Sequence, residues 1–410
     1  MTLHYIFVGF FVVALLMALG ELLLTGSFAS FDAIVQSSFA QAKNGFEISL
    51  YLTGMLCLWL GLLKVAERSG LVSSMARRST PVLSALFPSL PKDHPALGNI
   101  FMNISANMLG LDNAATPLGL KAMQELQGLN QDKSSPSDAM LMFLALNASG
   151  LTIIPTSIIA YRMQVGAANP ADIFLPILMA TTASTLVAVL LVALRQGINL
   201  LQRPLLLTFG AILGSFGLIL WAAKVLPAET FGSVSTGVAS MILLSMMTTF
   251  LIIGARRGLN VYDTFVEGAK EGFSTAVTII PYLVAMLVGI GVFRASGGIE
   301  LIERTLRWLV AALGWDTSFV EALPTILMKP LSGSGARGLM VDAMQTHGAD
   351  SFVGRLCCTV QGASDTTFYV IALYLGSVGI RRSSYVVGYS LLADLAGAIT
   401  AILVTYLFFT

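Results

Sequence analysis

Apolar positions along the 410-residue chain run in long blocks, and the polar residues that interrupt them recur at a few places. Tyr5 to Leu24 is apolar except for Glu21, long enough at about 1.5 Å per residue to cross a hydrocarbon core of about 30 Å. From Phe28 to Phe46 the pattern changes: Phe31, Ile34, Val35, Phe39 and Ala42 share one helical face, while Asp32, Gln36 and Lys43 lie elsewhere. That predicts an amphipathic helix along the membrane interface. A crossing is expected at 48–63, a second amphipathic stretch at 65–90, a segment of mixed polarity at 96–126 and a polar loop from Asn130 to Ser137. Residues 138–166 predict a crossing broken at Asn147–Gly150 and at Pro155–Ser157. Unbroken crossings at 172–194, 204–226 and 233–255 lead to an amphipathic piece at 260–272 and a crossing at 275–293. An interfacial pattern from Ile299 through Trp315, a second mixed segment at 319–346, a crossing at 351–379 interrupted from Gln361 to Thr367, and a last crossing at 385–409 complete the chain. The first block lacks the charged leader and cleavage site of a secretory signal and is read as a retained anchor.

The two mixed segments are the unusual ones. The first carries Asn103, Ser105, Asn107, Asp112, Asn113 and Thr116 around Gly110 and Pro117. Inside hydrocarbon a helix can stop only where protein or water satisfies its freed backbone groups, so each segment predicts a re-entrant hairpin of two half-helices. Asp112 or Asn113 suits the N-cap of the second half-helix and Pro117 its first turn, which aims the positive helix end at the membrane midplane. Asn103 and Asn107 are four apart and share a face. In the second segment Ser332-Gly333-Ser334-Gly335 supplies the turn, Lys329 enters it and Arg337 begins the exit, so this side is cationic. A carboxylate or phosphate would suit it.

The order of elements repeats. Ala42-Lys43-Asn44-Gly45-Phe46 parallels Ala269-Lys270-Glu271-Gly272-Phe273, and Ala122-Met123-Gln124 parallels Ala343-Met344-Gln345. Ile158, Tyr161, Val165 and Gly166 fall against Ile371, Tyr374, Val378 and Gly379. Five crossings separate the starts of the two copies, which makes the repeat inverted. The expected fold is an all-α polytopic membrane protein of about nine transmembrane helices and two re-entrant helical hairpins, with interfacial amphipathic helices. Placing the N-terminus inside puts most lysines and arginines, among them Arg68, Arg77, Arg78, Arg195, Arg256, Arg257, Arg381 and Arg382, on the cytoplasmic side.

Composition agrees: 56% of residues are hydrophobic and 11% charged, where a soluble domain carries about a quarter. A net charge of +1 offers no basic surface for nucleic acid. The three cysteines have no metal-ligand spacing; the vicinal pair Cys357-Cys358 reads as small buried helix residues. His4, His94 and His347 lie in loops or termini without paired ligands. No nucleophile–base pair, zinc signature, Walker loop or dinucleotide fingerprint is present, so neither an enzyme nor a cofactor is expected.

The candidate substrate-binding residues are Asn103, Asn107, Asp112, Asn113, Thr116, Asn147 and Ser149 from the first half. Lys329, Ser332, Ser334, Arg337, Gln361, Ser364, Asp365 and Thr366 come from the second. Each has a structural alternative: amides in membrane helices often tie helices together for under about 2 kcal/mol, and Arg337 with Asp365 can be a structural ion pair. Charges at membrane depth cost at least about 3 kcal/mol on insertion scales, which favours Asp112, Lys329, Asp365 and Asp394 as functional groups.

Asn103-Ile104-Ser105-Ala106-Asn107-Met108-Leu109-Gly110-Leu111, with Asn113-Ala114-Ala115-Thr116-Pro117, resembles spore maturation protein A. Lys329-Pro330-Leu331-Ser332-Gly333-Ser334-Gly335-Ala336-Arg337-Gly338 and Gln361-Gly362-Ala363-Ser364-Asp365-Thr366-Thr367-Phe368-Tyr369 resemble spore maturation protein B. The chain looks like a fusion of the two, with one gate domain in 1–200 and another in 201–410. The resemblance implies a multi-pass protein of the bacterial inner membrane, in the nucleoside recognition or gate-domain group, and carries the same site residues over as candidates. The function expected is transport of a small polar or anionic solute between the two hairpins, with a proton or Na+ as coupling ion, lipid around it, and a homo-oligomer compatible with the fold. A non-transporting module that assembles or regulates envelope proteins is the alternative.

Overall fold

Wherever the sequence is continuously apolar the backbone is helical, because only a helix satisfies its own N–H and C=O groups away from water. The computed structural model describes residues 2–91, 94–108, 112–314 and 316–410. The first half contains α1 (Thr2–Thr25), α2 (Ala29–Arg68), α3 (Leu71–Leu86), α4 (Pro95–Met108), α5 (Asp112–Leu129), α6 (Asp138–Ser149), α7 (Thr156–Gln164) and α8 (Phe174–Gln196). The second contains α9 (Arg203–Val225), α10 (Ala228–Arg256), α11 (Val261–Ala295), α12 (Gly298–Ala312), a 3-10 turn (Val320–Ala322), α13 (Leu323–Met328), α14 (Gly333–His347), α15 (Phe352–Ala363), α16 (Thr367–Ser377) and α17 (Val386–Phe409). Among the described residues there is no strand.

The protein is an all-α polytopic membrane protein. Among the described residues seven helices, α1, α2, α8 to α11 and α17, are long and apolar enough to cross a membrane. The broken crossings expected at 138–166 and 351–379 are the short pairs α6/α7 and α15/α16. On α9, Leu206, Leu207, Leu213, Leu218, Leu220 and Trp221 are exposed, an apolar face that water would not tolerate and lipid would.

From α2 to α8 the elements run long helix, amphipathic helix, helical hairpin, broken pair, long helix, and α11 to α17 repeat that order. The amphipathic stretches at 28–46 and 260–272 differ from expectation. Each continues without a break into the following crossing, making α2 a helix of 40 residues and α11 one of 35. The reason lies in their partner: α2 and α11 pack on each other, so polar positions that read as interfacial are paired between helices. Lys64 meets Glu271 at 3.0 Å, Arg68 meets Glu267 at 2.7 Å, and Ser37 donates to the Gly291 carbonyl at 3.0 Å. At Gly272 a Cβ would lie 2.6 Å from the Leu56 carbonyl oxygen, so the two backbones touch where only glycine fits.

The core is shared between the halves. Phe87, Ile100, Met123, Leu126 and Phe143 cluster with Ile371, Tyr374 and Val386. Ile158, Tyr161 and Ile177 cluster with Leu287, Met340, Leu356 and the buried Cys357 and Cys358. At one edge of this second cluster Arg162 of α7 is fully buried. It donates to the Ala349 carbonyl at 2.6 Å, to Asp172 at 2.8 Å and to Asp350 at 2.8 Å, and Arg355 pairs with Asp172 at 2.9 Å. Asp342 of α14 is also buried, paired with Arg294 of α11 through Nε at 2.9 Å and Nη2 at 2.5 Å.

Candidate functional site

The site is built from places where helices stop. α6 ends at Ser149, and Gly150 caps it in the left-handed region at φ 55° with its N–H on the Asn147 carbonyl. Thr181 of α8 supports the extended stretch that follows, donating to the Gly150 carbonyl at 3.0 Å and accepting from the Thr152 N–H at 3.2 Å. In the other half α15 ends at Ala363, Ser364 is extended, and α16 begins at Thr367. The two breaks meet: the Asp365 N–H donates to the Ala148 carbonyl at 2.9 Å. Backbone groups freed by one broken helix are thereby satisfied by the other. A Cβ on Gly150 would lie 2.7 Å from the Asp365 nitrogen, in a conformation that already disfavours side chains. Gly150→Ala is expected to cost about 2 kcal/mol, read as a fall in the thermal unfolding midpoint of purified protein.

Each hairpin tip is tied to the break of its own half. At the end of α4 the Met108 carbonyl accepts from Ile153 at 2.8 Å and Ile154 at 3.1 Å, and Asn107 donates to Asn147 at 3.0 Å. In the turn after α13 the Pro330 carbonyl accepts from Phe368 at 3.2 Å. Ser332 caps α14, its hydroxyl accepting from the Gly335 N–H at 3.0 Å. The glycine-rich run expected as the turn is thus the first turn of α14. Ser332→Ala is expected to remove about 1 kcal/mol of stability, measured the same way.

Two cavities open beside these contacts. The larger, about 610 Å³, is lined by Asn107, Thr116, Asn147, Ser332, Ser334, Arg337, Asp365 and Thr366, with an aromatic wall of Tyr282, Phe368, Tyr369 and Tyr374. The smaller, about 80 Å³, is lined by Asn107, Thr152, Thr156, Lys329, Arg337, Gln361, Ser364 and Asp365. Asn107, Gly333, Arg337 and Asp365 line both. Arg337 and Asp365 face both cavities, and Lys329 adds a second cation to the smaller one, which leaves that cavity net positive and suited to an anionic group. Arg337 lies over the Tyr161 ring, 5.9 Å from its centroid, which holds the guanidinium sideways.

Asn103 and Ser149 are placed differently from the other sequence candidates. Asn103 is fully buried and donates to the Ala115 carbonyl at 2.8 Å and the Tyr374 hydroxyl at 3.3 Å, joining α4 to α5 and α16. The Ser149 hydroxyl donates to the Leu146 carbonyl of its own helix at 3.0 Å. Asp112 and Asn113 are the first two residues of α5; their side chains, and with them the expected N-cap, lie outside those described. Gly110 and Leu111 lie outside the described residues. Sequence reasoning missed the aromatic wall and Tyr161; Phe368 and Tyr369 stood next to the polar motif, while Tyr282, in mid-helix after Pro281, gave no signal.

The family model for nucleoside recognition, Gate, matches residues 49–168 and 276–381. The chain belongs to this family. Each matched stretch contains one hairpin and one broken pair. Spore maturation protein A of Bacillus subtilis (strain 168) is 46% identical over 156 residues, 38% of this chain and 80% of that protein. Spore maturation protein B of the same organism is 42% identical over 159 residues, 39% of this chain and 88% of that protein. Homology to both is what a fused A/B member of the Gate family would have.

Proposed function

We propose that this Gate-family chain is a secondary transporter or exporter of a small polar, anionic solute, not an enzyme, and that it sits in the plasma membrane with its N-terminus in the cytoplasm. The two hairpins are re-entrant and the two halves form an inverted repeat of gate domains. The solute binds between the hairpin tips, and access alternates as one half moves against the other. The observation that carries this reading is the set Asn107, Gly333, Arg337 and Asp365, which lines two cavities at once. A group bound at these residues would face both cavities.

The test is flux in proteoliposomes of the full chain, using a panel of labelled small carboxylates, phosphates and nucleosides under imposed ion gradients. Flux of one class, lost on substitution of Arg337, is the expected result. Binding without flux under every gradient would sink the transport reading and favour a non-transporting module.

A further inference from the structure

A third cavity, about 170 Å³, shares Lys329 and Ser364 with the smaller solute cavity. Its other polar group is Asp394 of α17, and its walls are otherwise apolar, Leu327, Leu391 and Leu395 among them. Asp394 is only 8% exposed. Its Oδ2 accepts from the Thr367 hydroxyl at 2.7 Å, while Oδ1 is buried with no hydrogen-bond partner among the described residues. An ionised carboxylate in such a place gives up its hydration, and the hydroxyls of Thr367 and nearby Ser364 replace only part of it. Something must neutralise the rest.

Among the described residues the charged groups that face Asp394 are Lys329, which lines the same cavity from the turn of the second hairpin, and Asp365, from the break. Among the other helices packed on α17, α16 presents tyrosines only, and α6, α8, α10 and α15 carry their charges in terminal turns. A metal ion fits poorly, because Na+ or a divalent ion needs several oxygen ligands and this wall is largely hydrocarbon with an ammonium already at its rim. A proton needs only Oδ1. Asp394 also lies beyond the stretches that match the family model, which end at residue 381.

We propose that Asp394 is a proton-binding site linked to the solute cavities through Lys329. The proton enters from water as H+, sits on Oδ1, and leaves to water; no other bond changes. With Asp394 ionised, it competes for the charge of Lys329. With Asp394 protonated, that charge is left to the solute side. Proton and anion binding therefore strengthen each other by the same factor. As a coupling site this rests on the transport reading; as a proton site it does not.

The experiment is pH-titrated infrared difference spectroscopy of the full chain in lipid nanodiscs, with no solute added. A titrating protonated-carboxyl band is expected in the wild type and lost in Asp394→Asn. Asp394→Glu should displace the band in frequency, which identifies it even where the amide variant is unstable. Lys329→Met should move its midpoint to higher pH by about one pH unit or more, since a nearby cation favours the ionised form. Absence of any band that depends on residue 394, or a midpoint that ignores Lys329→Met, would overturn the proposal. Intact titration without flux of any solute defeats the transport reading alone, and flux without a band from residue 394 defeats the proton site alone.

Discussion

Replacing Arg162 with alanine is expected to cost about 3 to 5 kcal/mol of stability, the largest effect of any single substitution considered for this chain. The guanidinium is fully buried and holds Asp172, Asp350 and the Ala349 carbonyl at once. Removing it leaves Asp172, itself only 6% exposed, with Arg355 as its remaining cation partner among the described residues, and strips the Ala349, Asn169 and Pro170 carbonyls of a donor. Arg162→Lys should recover only part of the loss, because one ammonium with three N–H donors cannot serve the two carboxylates and three carbonyls that the guanidinium spans. The measurement is the thermal unfolding midpoint in detergent. A midpoint within experimental error of wild type would mean that this network contributes nothing to holding α7 against the 348–350 loop.

The second large effect concerns binding. Arg337→Gln is expected to weaken solute affinity by about 3 kcal/mol, roughly a hundredfold, with little change in unfolding midpoint. Arg337 lines both cavities beside the Tyr161 ring, so its loss removes a directed cation from the proposed site, and glutamine keeps a polar side chain there. Flux kinetics in proteoliposomes check it. A structural ion pair with Asp365 makes the opposite forecast: Arg337→Gln and Asp365→Asn would each lower the midpoint, and the double variant would recover stability, with binding unaffected.

Much of this site was legible because membrane segments tolerate so few polar residues. The asparagines of the first hairpin and the Ser-Gly run of the second stood out against apolar flanks, and the structure puts Asn107, Ser332, Ser334 and Arg337 on one cavity wall. The breaks at Gly150–Pro155 and Ser364–Thr366 were visible for the same reason, although the two interruptions expected in 138–166 are one, and Asn147 and Ser149 belong to the helix before it. What periodicity could not separate was a candidate ligand from a candidate tie: Asn103 and Asn107 share a face one turn apart, yet Asn103 is spent on Ala115 and Tyr374. That difference depends on α16, which lies far away in sequence. Arg162, Asp172, Asp350 and Arg355 escaped notice because each reads alone as a charge at a helix end; only folding brings them together. The continuity of α2 was hidden because its 28–46 stretch packs on α11, where Ser37 donates to the Gly291 carbonyl and Gly45 lies against Val284, a partner no local pattern names.

The seams between the halves set a limit on how the molecule moves. α2 lies along α11 and α8 along α17, so each half contributes one rail to both tracks. Neither half can swing as a door hung on one post. Under the proposed transport cycle a displacement at one track has to be matched at the other, and the bond from the Asp365 N–H to the Ala148 carbonyl ties the same two halves. A crosslink across either track should therefore block the proposed movement, however far it lies from the hairpins.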